Sequence, residues 1–163
     1  MIDLRPINTK NWETAIKLDV LPDQREFVPS VAVSLAKAYI QPDGVHYDPI
    51  GIFETEEDQL IGFYSFMHRP HDQRVVYIGG FLIDQRFQRK GYGAAAMQSF
   101  LDKIQSEIAE CEGVYLTVHP ENLAAENFYS KFGFKKTGFV IDGEDAMGMT
   151  FQKNAIAQGE AEA

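Results

Sequence analysis

The segment Gln88-Arg89-Lys90-Gly91-Tyr92-Gly93 stands between an apolar, β-branched run, Val75 to Ile83, and an apolar stripe at helical spacing, Met97, Phe100, Leu101, Ile104 and Ile108. A strand that passes through two glycines into a helix is built to hold an anion. Side-chain-free residues one position apart let backbone N–H groups face a ligand, and the helix adds the positive end of its dipole. Arg86, Arg89 and Lys90 bring cationic side chains to the same turn, which suits a diphosphate better than a single carboxylate.

The rest of the chain limits what such a turn can serve. A length of 163 residues fits one domain with a real core, expected over residues 1–153, followed by a small, polar, frayed tail over 154–163. Hydrophobic and charged fractions of 45% and 24% are those of an ordinary globular protein, and no apolar run is long enough to cross a bilayer. The start, Met1-Ile2-Asp3-Leu4-Arg5, reads as a strand and not as a signal peptide, so the expected location is the cytoplasm. A net charge of -9 argues against nucleic acid or an anionic membrane as partner and suits a cationic substrate. Cys111 is the single cysteine, which excludes an internal disulfide and a Cys-based zinc site, and its expected role is packing.

Periodicity gives the remaining elements. Leu4 to Ile7 suits a short strand; Trp12, Ala15, Ile16 and Val20 recur at helical spacing; Pro29-Ser30 opens a second helix whose Val31, Leu35 and Tyr39 share a face until Gln41-Pro42-Asp43-Gly44. Ile50–Phe53 and Leu60–His68 form a hairpin around an acidic turn, and Val75 to Ile83 follows as a strand with Gly79-Gly80 inside it. Paired glycines in a strand mark a bulge or a close approach by a backbone or a ligand, or equally a twist or a crowded packing contact. Gly113 is expected to close the long helix, and Val114 to Val118 is the next strand. Asn122 caps a helix from Leu123 to Phe132 that stops at Gly133, and Phe139–Ile141 with Ala146–Phe151 makes a closing hairpin. The order β-α-α-β-β-β-α-β-α-β-β describes an α/β (α+β) domain, with Val75 to Val118 as its parallel crossover unit. The glycine turn then lies at the carboxyl end of one strand, beside the carboxyl end of the strand ending at Val118, a crevice where ligands collect.

Three ligand types compete for the turn. A P-loop requires Gly-Lys-Ser/Thr, and the chain has Gly91-Tyr92-Gly93-Ala94. A dinucleotide fingerprint fits Gly91, Gly93 and Ala96 with Glu121 as a ribose acid, but Asp84 to Lys90 separates strand from glycine and repeated parallel units are missing. The third is a resemblance. The stretch from Phe81 to Gly93 resembles the acyl-CoA loop of the GCN5-related N-acetyltransferases, with its Gln/Arg-x-x-Gly-x-Gly/Ala pattern. Asn122-Leu123-Ala124-Ala125-Glu126-Asn127-Phe128-Tyr129-Ser130-Lys131-Phe132-Gly133-Phe134 resembles the Asn-x-x-Ala…Tyr-x-x-x-Gly-Phe helix that follows the next strand in that family. Scattered positions from Asn11 to Tyr39 are similar to bacterial spermine/spermidine-type acetyltransferases. Polyamine enzymes of the family often carry an acidic residue late in the central strand, where this chain has Gly79-Gly80.

The resemblance implies a mixed, mostly antiparallel central sheet with helices on both faces. It implies acetyl-CoA as co-substrate, no catalytic metal, and a small-molecule primary amine as acceptor, with a polyamine, a protein or peptide amine, and a non-catalytic acyl-CoA sensor as further readings; a homodimer stays open. Backbone groups of Phe81 and Ile83 would pair with the pantetheine amides. An N–H near Leu82 or Ile83 would meet the oxyanion. Backbone from Arg89 through Lys90, Gly91 and Tyr92 to Gly93 would hold the diphosphate, Gln88 would shape the loop, and Asn122 would cap its helix and touch the cofactor. Tyr129 would protonate the leaving thiolate. Glu26 is taken as the base, with Glu54, Asp84 and His119 as the other candidates.

Overall fold

The computed structural model describes residues 1–152, so Lys153 and the tail expected from Asn154 onward lie outside the described residues. The strands are β1 (Ile2–Pro6), β2 (His46–Glu54), β3 (Gln59–Arg69), β4 (Asp72–Ile83), β5 (Gly113–Val118), β6 (Lys135–Ile141) and β7 (Glu144–Thr150). The helices are α1 (Trp12–Ala15), α2 (Val31–Ile40), α3 (Tyr92–Glu107) and α4 (Leu123–Ser130). The strands form one sheet in the order β1-β2-β3-β4-β5-β7-β6. Among the described residues only β4 and β5 pair in parallel; every other pairing is antiparallel. The expected mixed, mostly antiparallel sheet is therefore present.

Strand alternation makes two cores from adjacent residues. Ile52, Tyr64 and Ile83 face a core with Met97, Phe100 and Ile104 of α3, and α4 packs Ala125, Phe128 and Tyr129 against the same side. Phe53, Phe63 and Leu82, each next to one of those residues, face the opposite core with Ala15, Leu18 and Val31. Helices thus cover both faces.

Several local expectations are corrected. The first helix stops at Ala15; Trp12 and Ile16 are exposed, and the buried positions are Ala15 at the helix end and Leu18 and Val20 in the irregular chain beyond it. Tyr39 is exposed and Ser34 takes the buried place on α2. α3 ends at Glu107, and Gly113 opens β5 instead of closing the helix. A Cβ at Gly113 would stand 2.7 Å from the Met149 carbonyl oxygen, so strand crowding explains that glycine. The pair at Gly79-Gly80 marks a bulge and a crowded packing contact with a side chain, not the approach of a backbone. The β3–β4 register shifts between Phe63 and Ser65, Gly80 sits at φ +58, and a Cβ there would meet Ser34 Oγ of α2 at 2.9 Å.

Candidate active site

β4 and β5 pair only at Val75–Gly113, Val76–Val114 and Tyr77–Tyr115, and then diverge. From Ile78 onward the β4 edge that faces β5 makes no strand pairing, while its other edge stays bonded to β3. Backbone groups left unpaired in this way are offered to whatever fills the gap. The gap opens into a cavity of about 1130 Å³ whose walls include Phe81, Leu82, Ile83, Gln88, Arg89, Gly91, Gly93, Asn122 and Tyr129. Lys90 and Tyr92 belong to the same turn but not to the wall.

The glycine turn is shaped by unusual backbone. Arg89 at φ +60 and Gly91 at φ +83 are both left-handed, and they deliver the chain into α3 with Gly91 as N-cap. Helix starts leave N–H groups without partners. On α2, Ser30 Oγ accepts from Val33 N, and on α4, Asn122 Oδ1 accepts from Ala125 N at 3.2 Å. α3 has no side-chain cap among the described residues, and Gly91, Gly93 and Ala94 at its start line the cavity. Gln88 is locked: its Nε2 donates to Ile83 O and to Gln24 Oε1, both at 2.9 Å, and its Oε1 accepts from Gln24 Nε2 at 3.2 Å. Arg86 turns away from the cavity and pairs with Asp84 at 2.8 Å, a correction to its expected place among the cations of the turn. Arg89 is the cation in the wall.

Tyr129 is held among rings, with centroids 5.3 Å from Phe128, 5.8 Å from Phe134 and 6.5 Å from Phe81. Among the described residues its hydroxyl has no hydrogen-bond partner. Burial, with a smaller contribution from Glu144, drives its pKa well above that of an ordinary phenol, so the hydroxyl keeps its proton at any working pH.

The acid–base candidates separate. Glu26 is exposed and outside the cavity wall, although its neighbour Phe27 lines it. Glu54 accepts from Glu56 N at 2.7 Å and Glu57 N at 3.0 Å, which caps the β2–β3 turn and holds its pKa below the usual carboxylate range. Burial pushes the Asp84 carboxyl up, but bonds from Arg86 side chain, Arg86 N and Asp19 N outweigh it and leave the pKa lowered. Both carboxylates are spent on structure. His119 lines the cavity and its Nδ1 accepts from Glu121 N at 3.1 Å, so the neutral ring presents Nε2–H, a donor. Sequence reasoning missed Glu144. It is the only carboxylate in the wall among the described residues, it lies on the Tyr129 side of the cavity, and its Oε1 accepts from Thr117 Oγ1 at 3.1 Å. Buried Cys111 is outside the wall and its thiol pKa is raised by burial, as suits a packing residue.

The fold is a mixed α/β architecture with an open wedge between β4 and β5, and comparison with known proteins supplies the family. A model of the acetyltransferase (GNAT) family matches residues 10–134, well over half of the chain. The chain belongs to that family and is an acetyltransferase that uses acetyl-CoA. It is 26% identical over 152 residues to the spermine/spermidine N(1)-acetyltransferase of Bacillus subtilis, covering 90% of this chain and 96% of that one. Among solved structures it resembles a spermidine N-acetyltransferase from Vibrio cholerae in complex with CoA and spermine, with TM-score 0.67, 19% identity and coverage of 91% and 95%. It also resembles a GNAT family acetyltransferase from Elizabethkingia anophelis with acetyl-CoA bound, with TM-score 0.62, 15% identity and coverage of 92% and 98%. No helix among the described residues is long and apolar enough to cross a membrane.

Proposed function

We propose that the protein moves the acetyl group of acetyl-CoA to a primary amine of a small cation, with a polyamine as the first acceptor to test. The observation that carries this reading is the wedge itself: among the described residues, an unpaired strand edge, an uncapped helix start and an unpartnered Tyr129 hydroxyl all border one cavity whose single acidic wall residue is Glu144. The polyamine is supported by the activity named for the Bacillus subtilis relative. It is also supported by a net charge of -9, which draws cations to the protein.

The pantetheine arm pairs with the open edge of β4 at Phe81 and Ile83, and the diphosphate lies on the N–H groups from Arg89 to Gly93. The thioester carbonyl then sits by the N–H of Leu82 or Ile83, which stabilises its oxygen as it becomes an anion. An alkylammonium must first lose a proton, which costs about 4 to 5 kcal/mol at neutral pH. Glu144, in place of Glu26, attracts the ammonium and takes that proton directly or through water. The amine nitrogen forms a bond to the carbonyl carbon, and the intermediate collapses with cleavage of the C–S bond. The attacking nitrogen, cationic once bonded to carbon, gives up its second proton to water as the amide forms; the thiolate leaves with the sulfur electron pair and takes the Tyr129 proton, and Tyr129 recovers one from solvent. No covalent enzyme intermediate forms.

The test is thiol release from acetyl-CoA against polyamines, amino sugars, amino acids and lysine peptides. Polyamines should give the highest kcat/KM, and Glu144→Gln should raise the amine KM at least about tenfold while CoA affinity stays. If CoA raises the melting temperature but no amine releases thiol, the chain is an acyl-CoA sensor and the proposal is refuted.

A further inference from the structure

We propose that His46, Asp48 and His68 form a binding site for a borderline divalent transition ion, Zn²⁺ above all, separate from the acetyl-transfer cavity. Cross-strand register produces the cluster. His46 of β2 is paired with His68 of β3, and Asp48 lies two residues along β2, so all three side chains stand on one face of the sheet. One ligand atom from each lies within 4.8 Å of the others. The imidazole rings are 5.1 Å apart between centroids, and His46 Nε2 is 2.9 Å from Asp48 Oδ1. Metal bonds of about 2.0 to 2.1 Å at tetrahedral angles need ligand atoms about 3.3 Å apart, which small side-chain rotations supply here.

His68 is already oriented from behind, and His46 has a partner behind its ring that can follow a change of tautomer, which distinguishes this group from a chance meeting of polar side chains. His68 Nδ1 is 2.8 Å from the Arg69 carbonyl oxygen, so it is the protonated nitrogen and Nε2 keeps a free lone pair. His46 Nδ1 is 3.3 Å from the Gln41 side-chain amide. When a metal takes His46 Nε2, the proton moves to Nδ1 and the Gln41 amide turns its oxygen toward it; the ion replaces the proton that His46 now shares with Asp48. All three residues are half-buried, so an ion can enter and a water can fill its fourth position. Two imidazoles and one carboxylate favour zinc, cobalt or nickel over magnesium and calcium, which prefer all-oxygen sites. Bound there, the ion would tie the end of the β2–β3 hairpin to Gln41, the residue that ends α2. None of the three residues lines the transfer cavity, so the site can be tested without touching catalysis.

The experiment is calorimetric titration of the untagged full chain with ZnCl₂, paired with thermal melting. One ion should bind per chain. At a concentration a hundredfold above the dissociation constant, the melting temperature should rise by about 5 to 10 °C. His46→Gln, Asp48→Asn and His68→Ala should each weaken binding at least about tenfold, and the double variant His46→Gln/His68→Ala should abolish both heat and thermal shift. His71→Asn, a histidine outside the cluster, should bind as the parent does. Co²⁺ should give visible d–d absorption with the parent and lose it with the double variant, a signature that does not depend on folding stability. No zinc binding by the parent, or binding that survives in the double variant, overturns the proposal.

Discussion

Gly93→Ala separates what the fold needs from what the ligand needs. Gly93 occupies the first turn of α3, and a Cβ built there would lie 3.7 Å from Ile83 and 3.8 Å from Phe128, ordinary contact distances. Its φ is not in the left-handed range, so nothing within the chain requires glycine at this position. Replacing glycine by alanine in a helix, with no clash, should stabilise the protein by about 0.5 to 1 kcal/mol and raise its melting temperature by roughly 1 to 4 °C. The proposed diphosphate approaches this residue's backbone closely. A methyl group there would push the phosphate back by about 1 Å and stretch a charge-assisted bond of about 2.9 Å past useful length. Losing two such bonds, at about 1.5 to 3 kcal/mol each, weakens CoA at least a hundredfold. Calorimetry with CoA and thermal melting without ligand read the two effects separately. S-acetylpantetheine, which lacks the diphosphate, serves as the control donor and should react equally with both proteins. A Gly93→Ala protein that binds CoA as tightly as the parent would refute the assignment of this turn.

Two further outcomes rest on single groups. Tyr129→Phe keeps the ring contacts with Phe81, Phe128 and Phe134 and deletes only an unpartnered hydroxyl, so melting temperature and CoA affinity should hold while kcat falls by about a hundredfold or more; equal turnover removes Tyr129 as the general acid. Asp84 is 2% exposed and accepts three hydrogen bonds, from Asp19 N and Arg86 N at 3.0 Å and Arg86 Nε at 2.8 Å. Asp84→Ala should cost about 2 to 4 kcal/mol, a fall in melting temperature of roughly 5 to 15 °C. Because its folded pKa is depressed, Asp84 stabilises the protein above the unfolded carboxyl value and loses that contribution as pH falls through the folded one. Parent and variant melting curves should therefore converge below about pH 4, and a constant gap down to pH 2 would contradict the direction of the shift.

What the chain disclosed before its structure was whatever depends on near neighbours. The strand, glycine turn and helix from Val75 to Ile104, and the Asn122 cap, are local patterns and stand where periodicity and capping chemistry put them. Trp12, Ile16 and Tyr39 were misplaced because helical spacing shows which residues share a face and not whether anything covers it. Glu54 and Asp84 carried a signal that separates them from bases: each precedes a turn whose N–H groups, two or three residues on, it accepts. Glu144 had no such signal. It reaches the cavity because β7 inserts between β5 and β6 and pairs Val118 with Asp145, so the residue before that pair projects past the end of β5. That insertion is a property of sheet order, invisible to any window along the sequence.

The cavity gathers polar groups that the fold leaves unsatisfied, and this explains why so many sit together. A folded chain pairs nearly all of its buried N–H and C=O groups, since each one left alone costs about 1 to 3 kcal/mol. Yet the β4 edge beyond Tyr77 is unpaired and the start of α3 is uncapped. Three further features border the same space. Arg89 is held at φ +60, and among the described residues the Tyr129 hydroxyl has no partner and one Glu144 carboxylate oxygen has none. Scattered over the surface, such groups would be solvated and uninformative. Gathered around one apolar wedge, where no side-chain polar atom among the described residues is both buried and unpartnered, they are open donors and acceptors that one extended ligand with amides, a thioester and a diphosphate would meet in a single pose. The Gly79-Gly80 pair sits where β4 bulges against β3 and where Ser34 of α2 approaches, just past Tyr77, the last residue of β4 that pairs with β5.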